Sequence, residues 1–106
     1  MKEAHKLRGY QYDLYASRET GKRAEMRLYK EDAGLIARIM FLTQKDPLPA
    51  SEKEVDGTLL LYYAYDDLPQ VLDILRNEKP LFLIWEEGLS AHLSTSPEPI
   101  GEGESA

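Results

Sequence analysis

One segment of this chain has the periodicity of an α-helix, and every other patterned segment has the periodicity of a β-strand. The helix is predicted over 67–78 by apolar residues at the i, i+3, i+4 and i+7 spacing of one face, namely Leu68, Val71, Leu72 and Leu75. Pro69 suits the first turn, Asp67 is a candidate N-cap, and Pro80 ends the segment. A single helix cannot form a bundle, so the fold must be built around a sheet.

The strands are predicted from alternation of apolar and polar residues. Residues 6–17 and 22–30 alternate on either side of a short turn that contains Gly21, which is typical of a β-hairpin. Four further strands are predicted at 35–43, 58–65, 81–86 and 89–95, and 44–57 is the one long loop.

These segments predict an α+β fold with the order β-β-β-β-α-β-β. Short links between neighbouring strands favour antiparallel pairing, so we expect an antiparallel meander sheet with the helix packed on one face. At 106 residues the chain fits one domain. We assign that domain to 1–95, and the Pro, Gly and Glu residues of 96–106 predict a flexible acidic tail.

Composition excludes several kinds of site. The chain has no cysteine, which excludes disulfides, thiolate zinc sites, iron–sulfur clusters and cysteine nucleophiles. The two histidines, His5 and His92, are far apart in sequence and have no metal-ligand spacing, so we expect neither a metal nor a cofactor. No apolar run approaches the roughly 20 residues of a membrane helix, and the first residues lack the apolar core of a signal peptide. We therefore expect a cytoplasmic protein that does not bind membranes.

The charge is distributed unevenly along the chain. Residues 1–30 hold eight Lys and Arg against four Asp and Glu, whereas residues 46–106 hold three against thirteen. The net charge of −6 disfavours non-specific binding of nucleic acid, because the long-range field repels phosphate. A local basic surface is expected only in the N-terminal third.

We expect no enzymatic activity from these residues. Asp66-Asp67 and Glu86-Glu87 are adjacent carboxylates, and adjacent residues of a strand point to opposite faces instead of converging. Ser90 and Ser94 are the serines closest to His92, but neither lies in a nucleophile elbow. A two-residue turn at Glu87-Gly88 predicts that His92 pairs with Leu83 as a surface side chain on the last strand.

The outward face of the N-terminal hairpin is the first candidate binding surface. Aromatic rings among arginines are what a sheet needs to bind single-stranded nucleic acid. The candidate residues are Tyr15, Arg23, Arg27, Tyr29 and Arg38. Glu25 and Asp13 interrupt the pattern, and the alternative is an ordinary solvated face with cross-strand charge pairs.

The sheet face away from the helix is the second candidate surface. One short helix covers only part of a six-stranded sheet, and apolar residues on the other parity would then form an exposed patch typical of an interface. The candidate interface residues are Met40, Leu42, Leu83 and Trp85. Strong coiling of the sheet, or the 44–57 loop folded across it, would equally bury them.

The sequence therefore predicts a class of function and no specific role. The primary prediction is a small non-catalytic binding or regulatory domain that acts through contacts with another protein or with a second copy of the chain as a homodimer. The alternative is a single-stranded nucleic-acid-binding sheet that uses the N-terminal hairpin.

Overall fold

A computed structural model of the chain describes residues 2–16, 21–30, 34–43, 47–86 and 91–95. Its strands are β1 (Lys2–Leu14), β2 (Lys22–Lys30), β3 (Leu35–Leu42), β4 (Glu52–Lys53), β5 (Leu59–Ala64), β6 (Phe82–Glu86) and β7 (Ala91–Ser94). A 3₁₀ turn at Tyr65–Asp67 leads into the helix α1 (Leu68–Asn77). The α+β class and the single helix are thus confirmed for the described residues. The predicted tail at 96–106 lies outside them.

The sheet is mixed, so the prediction of a plain antiparallel meander is wrong. Its strand order is β4-β5-β3-β2-β1-β6-β7, and β3 and β5 run parallel, with Ile39 opposite Leu61. A parallel pair needs a crossover connection, and the long 43–58 segment supplies one. That segment also contributes β4, a two-residue strand paired antiparallel to β5, which the sequence pattern did not reveal.

The first strand is shared between two neighbours. Residues Lys2–Lys6 pair with β6, while Leu7–Leu14 pair with β2. A β-bulge between Leu7 and Gly9 separates the two halves. Because a bulge adds a residue and bends the strand, Leu7 before it and Tyr10 after it both pack against the core. This 13-residue strand therefore connects the part of the sheet that contains β2 to the part that contains β6 and β7.

The core lies between the curled sheet and α1. The predicted inward face of β2, with Ala24, Met26 and Leu28, is fully buried. Leu68 and Val71 of the helix are buried against the same cluster, and Leu72 and Leu75 pack on its margin. Asp67 precedes the helix but makes no side-chain capping hydrogen bond, because the 3₁₀ turn already holds it in a helical conformation. No helix in the described ranges combines the length and apolar character that crossing a bilayer requires.

The last two strands pair one residue out of the predicted register. Trp85 lies opposite Ala91, Leu83 opposite Leu93, and Ile84 opposite His92. Five residues separate Trp85 from Ala91, whereas a two-residue turn leaves an even number between paired residues. The turn residues 87–90, with Glu87 and Ser90, lie outside the described part of the chain. His92 is exposed, as predicted.

The curl of the sheet brings the beginning of β1 to β4. Lys53 Nζ donates to Glu3 Oε2 at 2.5 Å, and His5 Nε2 lies 2.8 Å from Glu3 Oε1. These two partners, Lys53 first, hold the pKa of the Glu3 carboxyl below its usual value of 4.5. Glu3 therefore contributes stability above pH 4.5, and this contribution is lost as the pH falls through its lowered pKa.

We expect the free energy of unfolding of Lys53→Met to depend less on pH below pH 6 than that of the wild type. The pair is part-exposed, so the loss at pH 6 should be about 0.2–1 kcal/mol and should shrink as the pH falls through the lowered pKa of Glu3. Thermal denaturation between pH 6 and pH 3 measures it. Lys79→Met removes the same charge elsewhere and should give a curve parallel to that of the wild type. A parallel curve for Lys53→Met as well would show that the pair contributes nothing.

Candidate binding site

The outward face of the N-terminal hairpin carries an ion-pair network. Arg27 Nη1 lies 3.0 Å from Asp13 Oδ2 and 3.6 Å from Glu25 Oε2. Arg38 Nη2 donates to both carboxylate oxygens of Glu54 at 3.1 and 3.2 Å. The contact with Asp13 raises the pKa of Arg27. Arg27 and Arg38, two of the three arginines predicted to meet phosphate, are thus neutralised by carboxylates, which is the arrangement of the solvated-face alternative.

The tyrosines of this face are also engaged with their neighbours. Tyr29 donates its hydroxyl to Gln11 Oε1 at 3.0 Å, and Tyr15 donates to Glu25 Oε1 at 3.4 Å. Lys22 Nζ lies 5.2 Å from the centre of the Tyr15 ring. The structure therefore brings Tyr15, Arg27, Tyr29 and Arg38 to one face, but as parts of a network that neutralises its own charges.

Arg23 does not join this face. The register of β2 against β3 shifts between Lys22 and Ala24, so Lys22 takes the outward position and Arg23 lies in the irregularity. The Arg23 guanidinium lies over the ring of Tyr65, 5.0 Å from its centre, in a cation–π contact. Simple alternation could not have predicted this, because a bulge reverses the parity of the residues beyond it.

The four candidate interface residues lie in two separate places. Met40 and Leu42 are half-buried on the outward face of β3. Leu83 is fully buried and Trp85 is 7% exposed, and both belong to the core cluster. Sheet coiling, the alternative that we considered above, accounts for the difference, because β6 folds over the inner side of the sheet and does not extend a flat outer face.

The residues suited to acid–base or metal chemistry are dispersed. His5 contacts Glu3 near β4, whereas His92 is exposed on β7 at the other end of the sheet order. Asp66 and Asp67 lie in the 3₁₀ turn before α1. Within the described ranges no three His, Cys, Asp or Glu side chains come close enough together to hold a metal ion.

A cleft runs between β1 and the chain that follows α1, and we call it the β1 groove. It has a volume of about 850 Å³. Its apolar lining comprises Leu7, Gly9, Tyr10, Leu75, Pro80 and Leu81, and its charged rim comprises Lys6, Arg8, Arg76, Lys79 and Glu78. The lining of the cleft thus contains four basic side chains and one acidic side chain, on a chain whose net charge is −6. Charge of this sign at one cleft attracts an anionic partner.

An aromatic strip continues the β1 groove along β1. The rings of Tyr10 and Tyr12 are stacked with their centres 6.4 Å apart. Arg76 Nε donates to the Tyr10 hydroxyl at 3.3 Å, and this hydrogen bond raises the pKa of Arg76. Tyr12 is 38% exposed and Leu14 57% exposed, although both lie on the core-side parity of β1. Arg76 of α1 also interacts with Tyr12, and the exposure of Tyr12 and Leu14 leaves this part of the inner face partly open.

Sequence reasoning missed the β1 groove, because its two walls are about 70 residues apart in the chain. The usable signals were Gly9 within an alternating run, which favours a bulge, and the basic residues on either side of it, Lys6 and Arg8. A Cβ built on Gly9 meets no atom within 4 Å, so the backbone there faces open space. Comparison of the chain with family models, with curated proteins and with solved structures finds no match.

Proposed function

We propose that this chain is a binding domain, without catalytic activity of its own, that acts through contacts with another protein. The observation that carries the proposal is the β1 groove, which combines an apolar floor with a rim of four cations and one carboxylate. Its volume of about 850 Å³ falls within the range of clefts that bury most of a bound ligand. Such a cleft suits a protein segment that carries both acidic and apolar side chains.

The β1 groove does not include Met40, Leu42, Leu83 or Trp85, the interface residues suggested by the sequence. Trp85 and Leu83 already contribute to the core, so they offer no surface to a partner. The β1 groove, by contrast, has Lys6, Arg8 and Lys79 on its rim, whose long side chains are exposed. Cations around an apolar centre resemble the polar rim and apolar core of known interfaces.

Single-stranded nucleic acid is the second candidate partner, and the stacked pair Tyr10–Tyr12 favours it. Bases stack on exposed tyrosines, and the cations of the β1 groove lie beside this pair. The net charge of −6 acts against it, because phosphate is repelled at long range. The nucleic-acid candidate therefore still combines aromatic rings with cations. Its binding surface, however, is the inner side of β1 and not the outward face of the hairpin.

Selection from a displayed library of random 12-residue peptides tests the protein-binding proposal. We expect the wild-type protein to enrich peptides with Asp or Glu beside apolar residues. Arg8→Gln combined with Lys79→Gln should weaken binding of a selected peptide about tenfold or more, which corresponds to about 1.4 kcal/mol. Lys22→Gln combined with Lys53→Gln changes the net charge equally but lies elsewhere, and should leave affinity within about twofold.

Failure to enrich any peptide, or equal weakening by the two double variants, would remove the β1 groove as the protein-binding surface. A labelled 20-residue oligo(dT) provides the comparison with nucleic acid. Binding of oligo(dT) that weakens steeply with salt and is lost in Arg8→Gln with Lys79→Gln would favour the nucleic-acid candidate instead.

A further inference from the structure

β1 loses one of its two neighbours at the β1 groove. The ladder with β6 ends where Leu7 N–H donates to the Leu81 carbonyl at 2.9 Å. The preceding residue of that chain, Pro80, has no N–H to continue the ladder, and the chain then runs back to α1. From Arg8 to Leu14 the strand keeps β2 on one side, and no strand in the described ranges pairs with the other side.

The hydrogen-bonding pattern identifies which backbone groups face this open edge. Tyr15 N–H donates to the Arg23 carbonyl of β2 at 2.8 Å. Since hydrogen-bonded pairs alternate along an antiparallel ladder, Asp13 and Gln11 also bond to β2. The N–H and C=O groups of the residues between them therefore point away from β2, toward the open edge. These residues are Tyr10, Tyr12 and Leu14.

Beyond the bulge before Gly9, the sequence of this edge carries few of the residues that usually prevent strand addition. Natural edge strands are short or carry lysine, proline or inward-pointing charge. Residues 9–14 read Gly-Tyr-Gln-Tyr-Asp-Leu, without lysine or proline, and span about 20 Å at the usual rise of a strand. The single charge, Asp13, is paired with Arg27 on the outward face. Tyr12 and Leu14, both exposed, stand beside the edge on the inner face.

We propose that β1 accepts an extended acidic segment of another protein as an added strand along Tyr10–Leu14. The inference rests on the proposed function and specifies the chemistry and conformation of the partner. Backbone groups of the segment pair with the open edge, as in other cases of β-augmentation. Its carboxylates meet the positive charge at the adjoining end of the β1 groove, where Arg76 donates to the uncharged hydroxyl of Tyr10, and charge complementarity there selects an acidic segment.

Two variants at one position separate the backbone from the side chain. Tyr12→Ala and Tyr12→Pro both remove the aromatic ring, but only proline removes the N–H that faces the open edge. Because that N–H is not bonded to β2, proline leaves the β1–β2 ladder in place. We expect a peptide from the selection described above to bind Tyr12→Pro at least tenfold more weakly than Tyr12→Ala. Circular dichroism establishes that both variants are folded.

A modified peptide gives the same test on the wild-type protein. Methylation of alternate backbone nitrogens of the selected peptide removes donors without changing its side chains, and we expect affinity to fall more than tenfold. Hydrogen exchange monitored by NMR should show the Tyr10, Tyr12 and Leu14 amides exchanging fast in the free protein and at least tenfold more slowly in the complex.

The outcomes distinguish this inference from the proposed function. Peptides that bind equally with and without methylation, and equally to Tyr12→Pro and Tyr12→Ala, would overturn strand addition while leaving the β1 groove as a binding site. A selection that enriches no peptide would overturn both. Protection of the three amides in the free protein at high concentration, with a dimer in sedimentation equilibrium, would assign the edge to a second copy and overturn the acidic partner.

Discussion

Replacing Trp85 with alanine is expected to lower the free energy of unfolding by about 3–5 kcal/mol and to leave self-association unchanged. The side chain is 7% exposed and belongs to the core cluster that also contains Leu83 and Val71, so its removal leaves a large cavity. Urea denaturation at 25 °C measures the loss. Val55→Ala, at a fully exposed residue, serves as the control and should change stability by less than about 0.5 kcal/mol.

The same variant separates the two interpretations that the sequence left open for Trp85. A tryptophan at an interface would leave a stable monomer and weaken association, whereas a core tryptophan lowers the denaturation midpoint. Sedimentation equilibrium of the wild type and of Trp85→Ala, together with urea denaturation of both, therefore tests whether Trp85 is a core residue. A stable Trp85→Ala protein with reduced association would contradict it.

Ile39→Asn is expected to lower the free energy of unfolding by at least about 4 kcal/mol. Ile39 is fully buried on the inner face of β3, between Met26 of β2 and Leu61 of β5. The substitution combines a cavity with a buried amide that finds no partner. Since whole domains are stable by only 5–15 kcal/mol, we expect a large unfolded population at 37 °C.

Its control is the next residue along the strand. Met40 is half-buried on the outward face, where Glu25 lies opposite it, so the amide of Met40→Asn meets water and polar groups. We expect a loss of about 1 kcal/mol there. Thermal denaturation of the two variants compares the two faces directly. Similar losses at both positions would mean that β3 is covered on both faces.

Local patterns predicted the local elements well. The alternation of apolar and polar residues predicted the bounds of β2 and its buried face. This succeeded because both strands that pair with β2 are close to it in sequence, and because its outward face is only half-buried. The helix was predicted within a residue or so, since one amphipathic stripe over three turns is a strong signal. In each case the information needed was contained in the segment itself.

Pairing between distant segments could not be predicted in the same way. The parallel partner of β3 and the two-residue β4 depend on how the 43–58 segment crosses the sheet, and no periodicity records that path. The bulge before Gly9 reverses the parity of β1, so a single alternating run over 6–17 misplaces its first residues. A one-residue error in the final turn likewise moved His92 from Ile84 to Leu83.

The candidate site depended on these same distant pairings. Tyr15, Arg27, Tyr29 and Arg38 lie on the outward hairpin face and Arg23 does not, and acidic neighbours, among them Glu54 on the crossover segment, neutralise the two arginines of that face. The β1 groove forms only when Pro80 and Leu81 meet β1. The charge count over residues 1–30 assigned any basic surface to the N-terminal third, yet could not show that Arg76 and Lys79 join it.

The pairing of β1 with β6 also determines when the protein can complete its fold. Lys2 lies opposite Glu86, so roughly 80 residues must be synthesised after the first half of β1 before its partner exists. At 5–20 residues per second, that interval is about 4–16 s on the ribosome. The hairpin of β1 and β2 can form early, because its contacts are local. The edge of Lys2–Lys6 that pairs with β6 stays open until β6 has been synthesised, and during this interval it can pair with the strands of other chains.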